Sequence, residues 1–316
     1  MKIKAEQEEL ASERDSIAKI LGSGQRLRTL IKKEIQSDAE KFGDERRSRL
    51  VERAAAQALD ETALVPSEPV TVVLSSNGWV RVAKGHDIDP AEMNYKSGDE
   101  FASAARCRSN QLAVFLDSTG RTYAVPAHSL PTARGQGEPL TGRLKPEDGA
   151  SFIGVMAGDP DSLYLLGSDS GYGFITRLGD LYTRNKSGKA VLSAPVGSKI
   201  LPPVPVRNLE EDRIVAVTTD GYMLVIPADD LPHLSRGKGN KIINIPSAKL
   251  KIREEYVAAL ACIQGGEQLT IHAGKQHKTM KAEVLGEFAG ERGHRGRKLP
   301  RGYQKVDRVE VLLQSE

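Results

Sequence analysis

The 316 residues allow about two domains at roughly 150 residues each, and 45 Lys and Arg against 42 Asp and Glu leave a net charge of only +3. Cys107 and Cys262 are the only cysteines and stand in no CxxC or Cys/His spacing, which excludes a disulfide framework and a cysteine zinc site. The longest apolar run, Tyr256 to Ile263, is too short for a membrane span, and the opening MKIKAEQEEL has no apolar signal region, so a cytoplasmic chain without a transmembrane segment is expected.

Residues 1–64 contain no Pro and little Gly, whereas the remainder holds all 16 Pro. This composition shift predicts a domain boundary at 64/65. Ile3, Leu10, Ile17 and Ile31 fall on one heptad position, Leu21 and Ile35 on a second, and Glu and Lys fill the flanks. Gly22-Ser-Gly24 and the Gly43-Asp44 step predict about three helical pieces, the last over 44–59. A generic bundle or a solvated linker helix fits this composition. One arm of an antiparallel coiled coil fits as well, and its narrow apolar seam then needs a partner.

From Val70 onward short apolar strands alternate with glycine turns. Val70 to Leu74 leads into Ser76-Asn-Gly-Trp79, Leu112 to Leu116 into Ser118-Thr-Gly-Arg121, Leu163 to Leu166 into Asp169-Ser-Gly-Tyr172, and Arg213 to Val217 into Thr219-Asp-Gly-Tyr222. Each predicts a hairpin, because a polar residue followed by Gly tolerates the positive φ that a tight β-turn requires. The turn glycines are Gly78, Gly120, Gly171 and Gly221, and a fifth unit, Leu269 to His272, turns near Lys275 without a matching Gly. Five units of about fifty residues predict a mainly β repeat architecture, five-bladed, with six blades the alternative count. A closed propeller is preferred over an open array of hairpins because long exposed edges aggregate.

A second signature follows each hairpin: Asn94-YKSG-Asp99, Arg134-GQG-Glu138, Asn185-KSG-Lys189, Arg236-GKG-Asn240 and Arg292-GHRG-Arg297. A glycine turn flanked by Lys and Arg offers backbone N–H groups and cations together, as a phosphate oxygen requires. Repeated at blade spacing, these boxes are expected around one rim, tracking a DNA backbone without reading bases. The candidate DNA contacts are Lys84 in the first unit and Arg134 and Arg143 in the second. Arg184, Lys186 and Lys189 follow in the third, Arg236, Lys238 and Lys241 in the fourth, and Arg292, Arg295, Arg297, Lys298 and Arg301 in the fifth. Asp99 and Glu138 make the first two boxes poor phosphate ligands. The bland alternative is that the glycines only make turns and the cations form a solvated face.

Other patterns are weaker. RNKSGK lacks the spacing of a P-loop, and Pro139 disqualifies Gly135-Gln-Gly137 as a dinucleotide fingerprint. The six histidines form no ligand triplet, the Asp87/Asp89 and Asp229/Asp230 neighbours read as turn and cap residues, and Trp79 reads as packing. No catalytic or metal-binding residue is assigned.

The helical run RLRTLIKKEIQSDAEKFGDERR from Arg26, then NGWVRVAKGHDID from Asn77, ARGQGEPLTG from Ala133, SDSGYGF from Ser168 and LSRGKGNKIINIPSA from Leu234 together resemble one family. They resemble the C-terminal part of the A subunits of bacterial type II topoisomerases, the gyrase A and topoisomerase IV A family, and the topoisomerase IV branch of it in particular. The resemblance implies a β-pinwheel, a propeller-like disc whose blades exchange a strand. It implies that 1–64 is the returning arm of a coiled coil with its exit helices and linker, and that 65–316 is a non-catalytic DNA-binding and DNA-bending domain. Decatenation and supercoil relaxation in chromosome segregation, a second A subunit, an ATP-hydrolysing B subunit and Mg²⁺ in the parent enzyme are further implications. So are nucleoid and peripheral inner-membrane association. The resemblance also places the catalytic Arg-Tyr domain upstream, which puts Met1 inside a longer protein; Tyr182 here follows Leu181, not Arg. The acidic first box, MNYKSGDEF, departs from the fuller basic box of gyrase and argues against tight wrapping. The rival from another class is a kelch-like interaction scaffold, and a third reading is a propeller hydrolase.

Overall fold

The computed structural model describes residues 2–44 and 66–312, which belong to two compact units. In the first, helix α1 (Lys2–Leu21) and helix α2 (Gly24–Phe42) meet at the predicted glycine break. Ser23 caps α2 by accepting the Arg26 N–H through its hydroxyl at 3.5 Å. Neither helix has a buried residue, so Ile3, Leu10, Ile17 and Ile35 leave the heptad seam uncovered. The 64/65 boundary and nearly all of the third helical piece lie outside the described residues.

The second unit is built from hairpins at the predicted places. Its first repeat contributes β1 (Pro69–Ser75), β2 (Trp79–Lys84) and β3 (Phe101–Arg108). The second contributes β4 (Leu112–Asp117), β5 (Arg121–Pro126), β6 (Glu138–Pro139) and β7 (Phe152–Met156). The third contributes β8 (Leu163–Gly167), β9 (Tyr172–Arg177), β10 (Lys189–Ala190) and β11 (Val204–Val206). The fourth contributes β12 (Arg213–Thr218), β13 (Tyr222–Pro227), β14 (Asn240–Lys241) and β15 (Val257–Ile263). The fifth contributes β16 (Gln268–Ala273), β17 (Gln276–Met280), β18 (Arg297–Lys298) and β19 (Arg308–Leu312).

The hairpin glycines Gly78, Gly120, Gly171 and Gly221 all take positive φ. Gly274, at φ 61, does the same in the fifth turn, which corrects the expectation of a turn without glycine. Three positions before each of the first four glycines stands a buried polar residue, Ser75, Asp117, Ser168 or Thr218. Ser75, Asp117 and Thr218 accept the N–H of the residue after the glycine, at 3.0, 3.0 and 3.1 Å. At those same three residues the pairing of β1 with β3, β4 with β7 and β12 with β15 shifts register.

The sheets are not made from single repeats. Their orders are β3-β1-β2-β6, β10-β5-β4-β7, β11-β8-β9-β14, β15-β12-β13-β18 and β17-β16-β19. Blades 1 to 4 therefore each borrow a short strand from the repeat that follows, which is the strand exchange of a pinwheel. Among the described residues the fifth sheet has no donor, and β17 keeps a free edge. Gln276, His277 and Lys278 make that edge polar, which guards against edge-to-edge pairing.

The hydrophobic cores lie between blades, because alternate residues of each strand face opposite neighbours. Ala113 and Phe115 pack with Val72 and Leu74 of blade 1, while Val114 and Leu116 pack with Leu166 and Phe174 of blade 3. Ile214 and Ala216 face Leu165 and Ile175, and Val215 and Val217 face Leu269 and Ile271. Among the described residues no such cluster joins blade 5 to blade 1, and the two outward faces show why. Arg81 stands at the register position that Tyr123, Phe174 and Leu224 fill in the next three blades. It is buried, donates to the Asn94 carbonyl at 2.8 Å and lies over the Tyr95 ring at 4.6 Å. On blade 5 the outward residues are Thr270, bonded to Thr279, and His272, bonded to Glu310. Polar groups on both faces cannot supply the apolar burial that joins the other blades.

Candidate nucleic-acid interface

Four of the five boxes lead directly into the exchanged strands, which begin at Glu138, Lys189, Asn240 and Arg297. The register repeats: Trp79 faces Pro139, Arg121 faces Ala190, Tyr172 faces Lys241 and Tyr222 faces Lys298. Each box therefore occupies an equivalent place, the outer edge of the preceding blade beside its hairpin turn. Gly137, Gly188, Gly239 and Gly296 take positive φ there. A Cβ on Gly137, Gly239 or Gly296 would run into the backbone of Val80, Gly173 or Met223, and one on Gly188 into the Tyr123 ring. The box glycines are thus required by close packing on the preceding blade, against backbone at three positions and the Tyr123 ring at Gly188, whatever the flanking cations do.

The first box makes no strand. Asp99 accepts hydrogen bonds from the Ser76 hydroxyl and the Asn77 and Glu100 N–H groups at 2.8, 2.9 and 2.9 Å, so the segment folds back on its own hairpin. Partial burial acts to raise the Asp99 pKa, but the hydrogen bonds from Ser75, Ser76, Asn77 and Glu100 outweigh it and hold the carboxyl below its ordinary value. A depressed carboxylate contributes stability above its unfolded pKa and loses it as pH falls through the folded one, so this tether is intact at neutral pH and released only in acid. Asp99→Ala is expected to open cleavage between 94 and 100 to limited proteolysis at pH 7 while the thermal midpoint of the blades stays near wild type.

The fourteen candidate cations fall into distinct surroundings. Three are held in ion pairs: Lys84 with Glu68 at 3.3 Å, Arg143 with Glu138, and Arg295 with Glu255. The last is the most buried of the three, since Glu255 is 0% exposed and receives the Arg295 guanidinium on both oxygens at 3.0 and 2.7 Å. Arg292 is half-buried and donates to the Lys241 carbonyl at 3.2 Å, and Lys189 donates to the Asp180 carbonyl at 2.6 Å. Lys241 reaches the Asn244 side chain at 3.1 Å. Arg134, Arg184, Lys186, Arg236, Lys238, Arg297, Lys298 and Arg301 are exposed, and among the described residues none of these eight has an acidic partner.

Sequence reasoning missed the aromatic residues that receive the boxes. Lys238 lies over the Tyr172 ring at 4.2 Å and Lys241 at 5.6 Å, while Arg295 and Lys298 lie over Tyr222 at 3.8 and 5.3 Å. In blade 1, Lys96 of the first box sits over Trp79 at 3.2 Å. The available signal was the aromatic residue directly after the turn glycine in three of the four hairpins. In the second hairpin Arg121 takes that place and bonds Glu147 at 2.9 Å.

The family described as DNA gyrase C-terminal domain, beta-propeller, matches residues 163–206 and 212–263. The A subunit of DNA topoisomerase 4 from Pseudomonas aeruginosa is 55% identical over 311 residues, covering 98% of this chain and 41% of that protein. Its counterpart from Escherichia coli K12 is 49% identical over 311 residues with the same coverage. The solved structure of the E. coli ParC C-terminal domain aligns at a TM-score of 0.68 and 49% identity, covering 78% of this chain and 99% of that one. The chain belongs to the family of ParC C-terminal domains, those of the topoisomerase IV A subunits. A gyrase A C-terminal domain at 13% identity and a TM-score of 0.57 shares the fold. The chain spans about 41% of the length of the curated relatives it matches. Among its described residues no helix is long and apolar enough to cross a membrane.

Proposed function

We propose that the β unit binds and bends double-stranded DNA as the non-catalytic C-terminal module of a type II topoisomerase. In that role it presents a segment for ATP-dependent decatenation and supercoil relaxation. The observation that carries this reading is the repeated register of the exchanged strands. It sets exposed cations that have no acidic partner among the described residues on the edges of successive blades, most densely where the third, fourth and fifth boxes lie. Cations at a fixed repeat match a phosphate backbone, contact it without reading bases, and hold it against a curved edge. Smooth bending costs about 1 to 6 kcal/mol per 20–30 base pairs, which a handful of phosphate contacts can offset. The acidic, self-tethered first box shortens the basic arc and favours a partial bend over a full wrap.

Strand cleavage, the Mg²⁺ chemistry that goes with it, ATP hydrolysis on a B subunit, pairing with a second A subunit, and nucleoid or inner-membrane association belong on this reading to the assembled parent enzyme. The test is a titration of this chain against duplex DNA at several salt concentrations. With six or more phosphates engaged, log affinity is expected to fall against log salt with a slope of about −5 or steeper, equally for unrelated sequences. A flat salt response or no binding at 50 mM salt would overturn the reading.

A further inference from the structure

We propose that Tyr172 and Tyr222 are positioning residues that hold box lysines in place for phosphate without neutralising them. The inference rests on the DNA-binding reading above and names which part of the interface is pre-organised. A flexible lysine loses rotamer freedom when it binds a phosphate. A carboxylate can fix such a side chain in advance, as Glu68 does for Lys84, but it cancels the charge the phosphate needs. An aromatic face fixes the ammonium by its quadrupole and leaves the full positive charge and outward N–H donors available.

The strand exchange builds this device. Tyr172 is the cross-strand partner of Lys241, and its ring also receives Lys238 at 4.2 Å. Tyr222 is the cross-strand partner of Lys298, which lies 5.3 Å from its ring centre, while Arg295, itself paired with Glu255, lies closer at 3.8 Å. Both rings are half-buried and carry box cations against them. Two other hairpins supply internal contrasts. Trp79 holds Lys96 in the same way, but that box carries Asp99 and Glu100 and is tied to its own turn. Arg121 offers no ring, and its guanidinium donates to Glu147 and to the Ser187 carbonyl at 3.4 Å. The third box therefore has free cations and no platform.

The experiment compares wild type, Tyr172→Phe, Tyr172→Leu, Tyr222→Leu, Trp79→Leu and the Tyr172→Leu/Lys238→Ala pair, each in the full chain, by salt titration against a single duplex. Tyr172→Leu and Tyr222→Leu are expected to weaken binding about two- to five-fold and to make the log–log salt slope shallower by about one. Tyr172→Phe keeps wild-type affinity and slope, and Trp79→Leu leaves both unchanged. Adding Lys238→Ala to Tyr172→Leu costs less than Lys238→Ala costs in the wild type, because the two changes remove one arrangement. Without DNA, the upfield ring-current shift of the Lys238 side-chain protons disappears in Tyr172→Leu and persists in Tyr172→Phe. Wild-type binding in both leucine variants, or a Phe variant as weak as the Leu variant, overturns the inference while the DNA reading stands. A wild-type chain that does not bind duplex DNA overturns the DNA reading instead, and the ring-current arm still reports on the platform. Should Tyr172→Leu lose its fold by circular dichroism, Tyr222→Leu with the Lys298 side-chain shift supplies the same decision.

Discussion

Replacing Arg236, Lys238 and Lys241 together by Ala is expected to weaken duplex binding at least ten-fold at 50 mM salt and to do so equally for every sequence. Each phosphate contact contributes about 0.9 to the log–log salt slope, so three lost contacts make it shallower by about 2.7. The drop in affinity between 50 and 200 mM salt then shrinks by roughly 40-fold. Exposure supports the size of the effect: among the described residues Arg236 and Lys238 stand on the surface without an acidic partner, and Lys241 gives up uncharged contacts to Asn244 and the Tyr172 ring. The fold should survive, because the backbone pairing of β14 with β9 and the close packing of Gly239 on Gly173 do not involve those side chains. A triple variant with wild-type affinity and slope moves the interface away from the fourth box.

The second large effect concerns stability. Arg295→Ala is expected to destabilise the β unit by about 3 to 5 kcal/mol, because it strands a buried carboxylate. Glu255 is 0% exposed and keeps only the Thr218 hydroxyl, at 3.0 Å, once the guanidinium is gone. In a domain of about 250 residues that corresponds to roughly 6 to 20 °C in thermal midpoint. The Arg295→Ala/Glu255→Leu pair should recover much of the loss, since removing both charges removes the unpaired one. Duplex affinity of the folded variant is expected to change far less than in the triple variant, because Arg295 is spent on Glu255. Calorimetry and the salt titration together separate the two roles. A thermal midpoint unchanged in Arg295→Ala would show that the pair carries no stability.

The two variants illustrate what the residues disclosed and what they withheld. The hairpins were legible because a polar residue, glycine and flanking apolar runs are local requirements of a tight turn, and Gly78, Gly120, Gly171 and Gly221 all adopt positive φ. Gly274 escaped because its turn lies between β16 and β17 without the polar pair that marks the others. The boxes were legible as repeats, but their meaning was divided. Their glycines answer to close packing on the preceding blade, and only some of their cations face outward. Strands of two residues such as β6 and β10 carry no periodicity, so nothing local announces that they pair with the preceding blade. That came from the family resemblance. The pairing of Arg295 with a buried carboxylate was equally hidden, because Glu255 lies forty residues away in sequence and meets it only through the fold. Arg81, in a strand otherwise like its three counterparts, gave no local hint that it borders a face on which no other described blade packs.

The exchanged strands also bear on how the chain is made. During synthesis from the N-terminus, β2 can pair with β1 as soon as the first turn emerges, but its outer edge waits until Pro139 arrives opposite Trp79. The same holds for Tyr172, which waits for Lys241, and for Tyr222, which waits for Lys298. Each blade is thus finished by the arrival of the next, and the growing chain always ends in one incomplete sheet. A ribosome that stalls inside the fifth repeat leaves β13 open along an apolar strand whose Met223, Leu224 and Ile226 are buried in the finished protein. Once the fifth repeat has added β18, β17 is the one open edge among the described second strands of the five hairpins, with its polar row. The fifth repeat therefore exchanges the apolar nascent edge of β13 for the polar one of β17.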